Sequence, residues 1–200
     1  DTAGFIVTNT PPVANAGGDV TTTTTSRNGI LITLNGSGST DENSTDEAKK
    51  NDIVSYEWKH GEKLLGTGEI LATSLSAGVY DITLTVTDTC GAKHSDTVKV
   101  TITQIVLPPT ITDLNPPHET ITKELGLSAK ATDEIWGIDW TTLVFKAGNT
   151  VLPASYDTTT GAITSSLPAD AADGWYDLNI HIKNQGGAGA TTPEWRVGLD

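Results

Sequence analysis

The chain has one cysteine, no methionine and few basic residues. Cys90 has no partner within the sequence, so no internal disulfide staples the fold, and the cysteine count is silent on redox compartment. No stretch approaches the roughly 20 apolar residues of a membrane-spanning helix, and the first residues do not read as a secretion signal, so no membrane insertion of this segment is expected. Without a Met, and starting at Asp1, the chain reads as a processed or excised part of something longer. Lys and Arg total 12 against 25 Asp and Glu, a net charge of −13, and both halves of the chain are acidic. Nucleic acid is thereby excluded as a partner, because affinity for it rests on Lys and Arg neutralising phosphates. Anionic membrane surfaces are disfavoured for the same reason. Acidity of this kind suits solubility and carboxylate sites for a hard cation such as Ca2+.

What is abundant is the vocabulary of strands and turns. Thr, Val and Ile recur, and Gly, Asn, Asp and Ser punctuate the chain at short intervals. Pro11-Pro12 and Pro108-Pro109 each precede a stretch of similar length, which marks two units with a boundary near Leu107. Residues 1–10 read as a linker or an extra strand, residues 11–106 as one sandwich and residues 107–200 as another. In the first unit, apolar residues alternate with polar ones at Ile30, Ile32 and Leu34, at Ile82, Leu84 and Val86, and at Val98, Val100 and Ile102. The second repeats the pattern at Leu125, Leu127 and Ala129, at Leu143 and Phe145, and at Tyr176, Leu178, Ile180 and Ile182. Period 2 with turn residues between the runs predicts half-buried antiparallel strands. The expected fold class is all-β, two tandem sandwiches.

Four motifs over about 90 residues carry a family resemblance. They are Pro12-Val-Ala-Asn-Ala-Gly17, Leu34-Asn-Gly-Ser-Gly-Ser-Thr-Asp41, Ile53-Val-Ser-Tyr-Glu-Trp58 and Gly78-Val-Tyr-Asp-Ile-Thr-Leu-Thr-Val-Thr-Asp88. In order and spacing residues 11–104 resemble a PKD domain, which implies a seven-stranded Ig-like sandwich. Two departures stand out: Lys59-His-Gly-Glu-Lys63 replaces the usual Asp-Phe-Gly-Asp-Gly, and the polar segment Glu42 to Asn51 lengthens one loop. The second unit resembles the bacterial immunoglobulin-like domains found in strings on surface proteins, through Ala131-Thr-Asp133, Gly137-Ile-Asp139, Gly174-Trp-Tyr-Asp-Leu-Asn-Ile-His-Ile-Lys183 and Trp195-Arg-Val197.

Asp41, Asp52 and Asp88 end or begin strands that a sandwich can bring to one pole, and carboxylates with loop carbonyls suit calcium. Some bacterial PKD domains hold calcium in such an arrangement, and the resemblance adds a loop Asn, here Asn15. The competing reading makes the same acids turn caps. Asp133, Glu134 and Asp139 form a second acidic loop, read mainly as solvated charge. Trp58 and Trp195 are expected in the two cores. Trp136, Trp140 and Trp175 are the candidates for an exposed aromatic platform that takes a sugar ring or a protein, with local packing as the alternative. His60, His94, His118 and His181 lack the spacing of a zinc site. No Gly-x-Ser-x-Gly elbow is present, and no catalytic residues are assigned. Asn35-Gly-Ser37 and Asn43-Ser-Thr45 match the glycosylation acceptor.

The expected function is a non-catalytic, extracellular module of a secreted or cell-surface protein, acting as an adhesive or spacer region stiffened by calcium. Its partners are then a protein or glycan at the cell surface, or neighbouring domains of the same polypeptide. Two alternatives stand beside it. One is an accessory substrate-binding region of a secreted polysaccharide- or protein-degrading enzyme. The other is a filament subunit joined by strand addition through Phe5-Ile-Val-Thr8.

Overall fold

In the computed structural model, which describes residues 9–44 and 52–200, the chain divides into two units between Ile105 and Val106. Strands account for the regular structure of both, and no helix is long and apolar enough to cross a membrane among the described residues.

The first unit has seven strands: β1 (Val20–Thr24), β2 (Ile30–Asn35), β3 (Ile53–His60), β4 (Lys63–Thr67), β5 (Ile70–Leu75), β6 (Gly78–Asp88) and β7 (Lys93–Gln104). A five-stranded sheet runs β1-β7-β6-β3-β4, and β2 pairs with β5 in a second sheet. The inward residues of β2, β6 and β7 meet Trp58 in one core, where Trp58, Ile82, Leu84, Val86 and Val100 are wholly buried. Each such aliphatic side chain contributes about 1.5–3 kcal/mol through removal from water. Trp58 satisfies its indole N–H by donating to the Gly68 carbonyl at 2.9 Å, so the core's one polar hydrogen at this ring is not left unpaired. The altered Lys59–Lys63 stretch forms a tight hairpin between β3 and β4, with Gly61 at φ 56°.

The Pro12–Gly17 motif bonds to β7 on one side and to the loop that follows β2 on the other. Val13 pairs with Thr40, and Asn15 N–H donates to Ser39 Oγ on one side. On the other, Ala14 N–H donates to His94 Nδ1 and Ala16 N–H to Asp96 Oδ2. Alternate peptides thus face opposite ways, which is why small residues, Ala14 and Ala16, occupy the buried positions.

The second unit contains β8 (Thr110–Asn115), β9 (Thr120–Thr122), β10 (Gly126–Thr132), β11 (Ile138–Ala147), β12 (Thr150–Leu152), β13 (Ala154–Tyr156), β14 (Ala162–Ser166), β15 (Gly174–Asn184), β16 (Gly189–Thr191) and β17 (Trp195–Leu199). One sheet runs β13-β14-β10-β8 and the other β12-β11-β15-β17-β9, with β16 beside β15. Phe145, Ile163, Ile180, Ile182 and Trp195 fill its core, and Trp195 donates its indole N–H to the Pro116 carbonyl. Residues 170–173 form no helix.

The two units repeat one plan that the strand pattern alone did not reveal. β6 and β15 are both 11 residues long and start on a glycine followed two residues later by a tyrosine. Tyr80 donates its hydroxyl to the Ser76 carbonyl and Tyr176 to the Ala172 carbonyl, each four residues back, the tyrosine corner of Ig-like sandwiches. At the far end of the same strands, Asp88 Oδ1 accepts from Ala92 N–H and Asn184 Oδ1 from Ala188 N–H, closing equivalent turns.

Candidate functional site

Asp88, Asp52 and Asp41 are linked in the first module by a chain of hydrogen bonds. Thr89 N–H donates to the Asp52 carbonyl and Asp52 N–H to Ser44 Oγ, while Ser44 N–H donates to the Asp41 carbonyl. Their carboxylates are in different states. Both oxygens of Asp88 are engaged: Oδ1 by Ala92 N–H and Oδ2 by Asn9 Nδ2 at 2.7 Å. The Asn9 bond, helped by the N–H groups of Ala92, Cys90 and Gly91 and opposed by burial, holds the Asp88 carboxyl below its usual value. Asp52 Oδ1 accepts from the Thr89 hydroxyl. Asp41 is fully buried; its Oδ1 accepts from Asn43 N–H, but its Oδ2 accepts no hydrogen bond from the described residues.

Asn15 is not joined to this network by its bonds. Its Oδ1 accepts from Gly17 N–H and its side chain lies against Gly38, where a Cβ would come within 2.7 Å of Nδ2. Among the described residues no three His, Cys, Asp or Glu side chains converge in a metal-binding group. Residues 45–51, most of the long acidic loop, and Phe5 to Thr8 lie outside the described residues, as does Thr45 of the second glycosylation motif. Asn35 of the first motif is exposed and accepts from Ser37 N–H.

The three candidate tryptophans occupy separate places in the second module. Trp136 packs on Gly186, where a Cβ would meet its ring at 2.8 Å. Trp140 stacks on Tyr156 with centroids 4.7 Å apart and planes 7° from parallel. Trp175 stands near the start of β15, whereas Asp139, next to Trp140, pairs with Lys183 near its end. At about 3.3 Å per residue the two indoles are roughly 25 Å apart along the strand, too far for one platform. Trp175 is 47% exposed, lies beneath the Arg196 guanidinium and faces Ile121 across Gly198.

The acidic loop of the second module is mostly scaffold. Asp133 Oδ1 accepts from Ile135 and Trp136 N–H, and Oδ2 from Asn184 Nδ2. Burial pushes its carboxyl up, yet the Trp136, Asn184, Ile135 and Gly137 donors together hold it below the ordinary value. Asp139 accepts from the N–H and hydroxyl of Thr141. The histidines are likewise built into the fold: His94 and His118 each accept a backbone N–H through Nδ1, from Ala14 and Arg196. His60 bonds to the Asp81 carbonyl and His181 to the Thr191 hydroxyl.

No curated protein matches the chain. Among solved structures, fibronectin(III)-like modules of CbhA from Clostridium thermocellum are similar at 14% identity over 94% of this chain and 92% of that one, TM-score 0.35. The glucan-utilisation protein SGBP-B of Bacteroides ovatus, solved with a mixed-linkage heptasaccharide, gives 13% identity over 96% of this chain and 48% of its own length, TM-score 0.35. A PKD domain from the KIAA 1837 protein is 24% identical over 52% of this chain and 98% of its own, TM-score 0.37. Residues 16–102, which span the β1 to β7 sandwich, match the family described as K319L-like, PKD domain.

Proposed function

We propose that the chain is a non-catalytic, load-bearing extracellular segment in which two sandwiches act as spacer and attachment modules. The observation that carries this reading is a parallel pair in each module between a strand near its start, β1 or β9, and its last strand, β7 or β17. β1 runs parallel to β7 over Val20–Thr24 and Val100–Gln104, and β9 runs parallel to β17 over Thr120–Thr122 and Val197–Leu199. Tension across a module pulls the two parallel strands past each other, so their ladder is loaded all at once and not unzipped bond by bond. The PKD-family match of the first module and the use of all four histidines as structural partners support the same reading.

Single-molecule stretching between the two ends tests it. Two unfolding steps are expected, each lengthening the chain by about 3.3–3.6 Å per residue released. The second module, with the shorter parallel ladder, opens at the lower force. Opening of both at the low force of strand-by-strand unzipping defeats the reading.

A hard cation at Asp41 is a second reading, favoured by the buried Asp41 Oδ2, which has no partner among the described residues. Since Asp88 is saturated by N–H donors and Asn15 is engaged elsewhere, Asp41 and Asp52 with backbone carbonyls would hold the ion. That set fits calcium's preference for carboxylate and carbonyl oxygens. Calcium at a hundredfold its dissociation constant stabilises the folded form by about 2.7 kcal/mol. A rise of several degrees in Tm on replacing EDTA with millimolar calcium is therefore expected, and its loss in Asp41→Asn. Superimposable melting curves for the unmodified chain reject the cation.

A further inference from the structure

The pairing of β11 with β15 holds a feature that the equivalent pair in the first module lacks. In the first module Val54 alone is extra where β3 passes β6, between Ile53 opposite Asp88 and Ser55 opposite Thr87. In the second, Asp139 lies opposite Lys183 and Val144 opposite His181, so Trp140 to Leu143 confront only Ile182. The first module shows that the sandwich closes without this bulge, and bulges serve to re-aim side chains at the loss of ladder bonds. Here the loss is repaired by side chains: Thr142 Oγ1 donates to the Asp139 carbonyl and accepts from Lys183 N–H, while Asp139 Oδ1 accepts from Thr141. The bulge is thus held in one shape, and it delivers Trp140.

Trp140 lines a groove of about 320 Å³, walled by Glu134 on one side and by Thr158, Thr159, Thr160 and Gly161 at the tip of the β13–β14 hairpin on the other. Stacking on Tyr156 fixes the indole. The hairpin tip is fixed by Asp157 Oδ1, which accepts from Thr159 and Thr160 N–H. These donors, Thr160 and then Thr159, also hold the Asp157 carboxyl below its ordinary value. With backbone donors so occupied, the exposed hydroxyls of Thr158 and Thr159 and the carboxylate of Glu134 have no partner among the described residues. A rigid aromatic ring, two hydroxyls and an acceptor around one concavity match a ring that offers C–H groups on its face and hydroxyls at its edge. The carboxylates of Glu134 and Asp157 oppose an anionic ligand.

We propose that this groove binds a neutral saccharide, with Trp140 stacking on the sugar ring and Glu134, Thr158 and Thr159 bonding its hydroxyls. The site does not depend on the load-bearing reading. Affinity electrophoresis of the whole chain through gels containing hydroxyethylcellulose, mixed-linkage β-glucan, xylan, galactomannan or, as an anionic control, polygalacturonate tests it. Retardation by at least one neutral polymer and not by polygalacturonate is expected. Trp140→Ala should weaken retardation at least tenfold. Because Trp140 also packs against the core, the exposed double substitution Thr158→Ala, Thr159→Ala and the single Glu134→Gln are measured beside it, and each should weaken binding with Tm unchanged. Passage through every neutral gel without retardation overturns the proposal, as does retardation that all three variants retain.

Discussion

Trp58→Ala is expected to lower the stability of the first module by about 3–5 kcal/mol, the usual range for removing a large buried aromatic. The residue is fully buried, it contacts the inward faces of both sheets, and its indole N–H is spent on the Gly68 carbonyl. Truncation leaves a cavity in the core between the two sheets and strands that carbonyl. Leu84, which pairs with Trp58 across the ladder, cannot swing over to fill the gap, because its own side chain already packs in the same core. The second module has a separate core built on Phe145, Ile180 and Trp195, so scanning calorimetry should show one transition moved down by tens of degrees or lost and the other in place. A single transition that shifts as a whole would mean that the two modules unfold as one unit. Trp58→Phe, which keeps much of the volume and loses only the N–H, should fall between the two.

The second large effect concerns the part-buried pair Asn9–Asp88, whose chemistry is inverted in the other module, where Asp133 accepts from Asn184. Asp88→Asn sets two amides face to face and should lower the first module's Tm by several degrees. Asn9→Asp sets two carboxylates face to face and should do more harm at neutral pH than at pH 3. Combining them restores one donor and one acceptor and should recover most of the loss, a coupling that a double-mutant cycle measures directly. Additive losses in the cycle would show that the pair does not matter as a pair.

Acid supplies an independent check on the same group. The Asp88 carboxyl is held below the ordinary 3.8, chiefly by Asn9. Its ionised form therefore stabilises the fold fully above pH 3.8, and the contribution declines as pH falls below 3.8 and is gone below the lowered value. Asp133 and Asp157 are shifted in the same direction, so the second module should weaken over the same acid range. In Asp88→Asn the first module should show a flatter decline between pH 5 and 2 than the unmodified chain. An unchanged slope would assign the acid sensitivity to other carboxylates.

How much of this was legible in the residues follows from what kind of information each feature uses. Strand positions and the two cores were readable because a half-buried strand must alternate, as Ile82, Leu84 and Val86 do. Trp58 and Trp195 were readable as core residues by the same rule. The repeat of tyrosine corner and Asx-closed turn was present in Gly78–Asp88 and Gly174–Asn184 and passed unnoticed, since Asp88 and Asn184 differ as residues while accepting the same backbone bond. Asp88 ends β6 and Asp52 precedes β3, whereas Asp41 lies in a loop beyond β2, and the spacing of the three carried nothing about which oxygens were already taken. The tryptophans separated for a similar reason: their positions in the chain say little about which end of β15 each one lies beside.

By itself, the sequence determined the all-β class, the acidic net charge, and the alternation that places each core, because these depend on composition and on period-2 geometry within single strands. The tertiary structure alone decided the parallel closure of β1 on β7 and β9 on β17, the burial of an Asp41 oxygen with no partner among the described residues, and the bulge at Trp140. Each of those joins residues far apart in the chain, and register, burial and hydrogen-bond occupancy between such residues exist only once the strands have met.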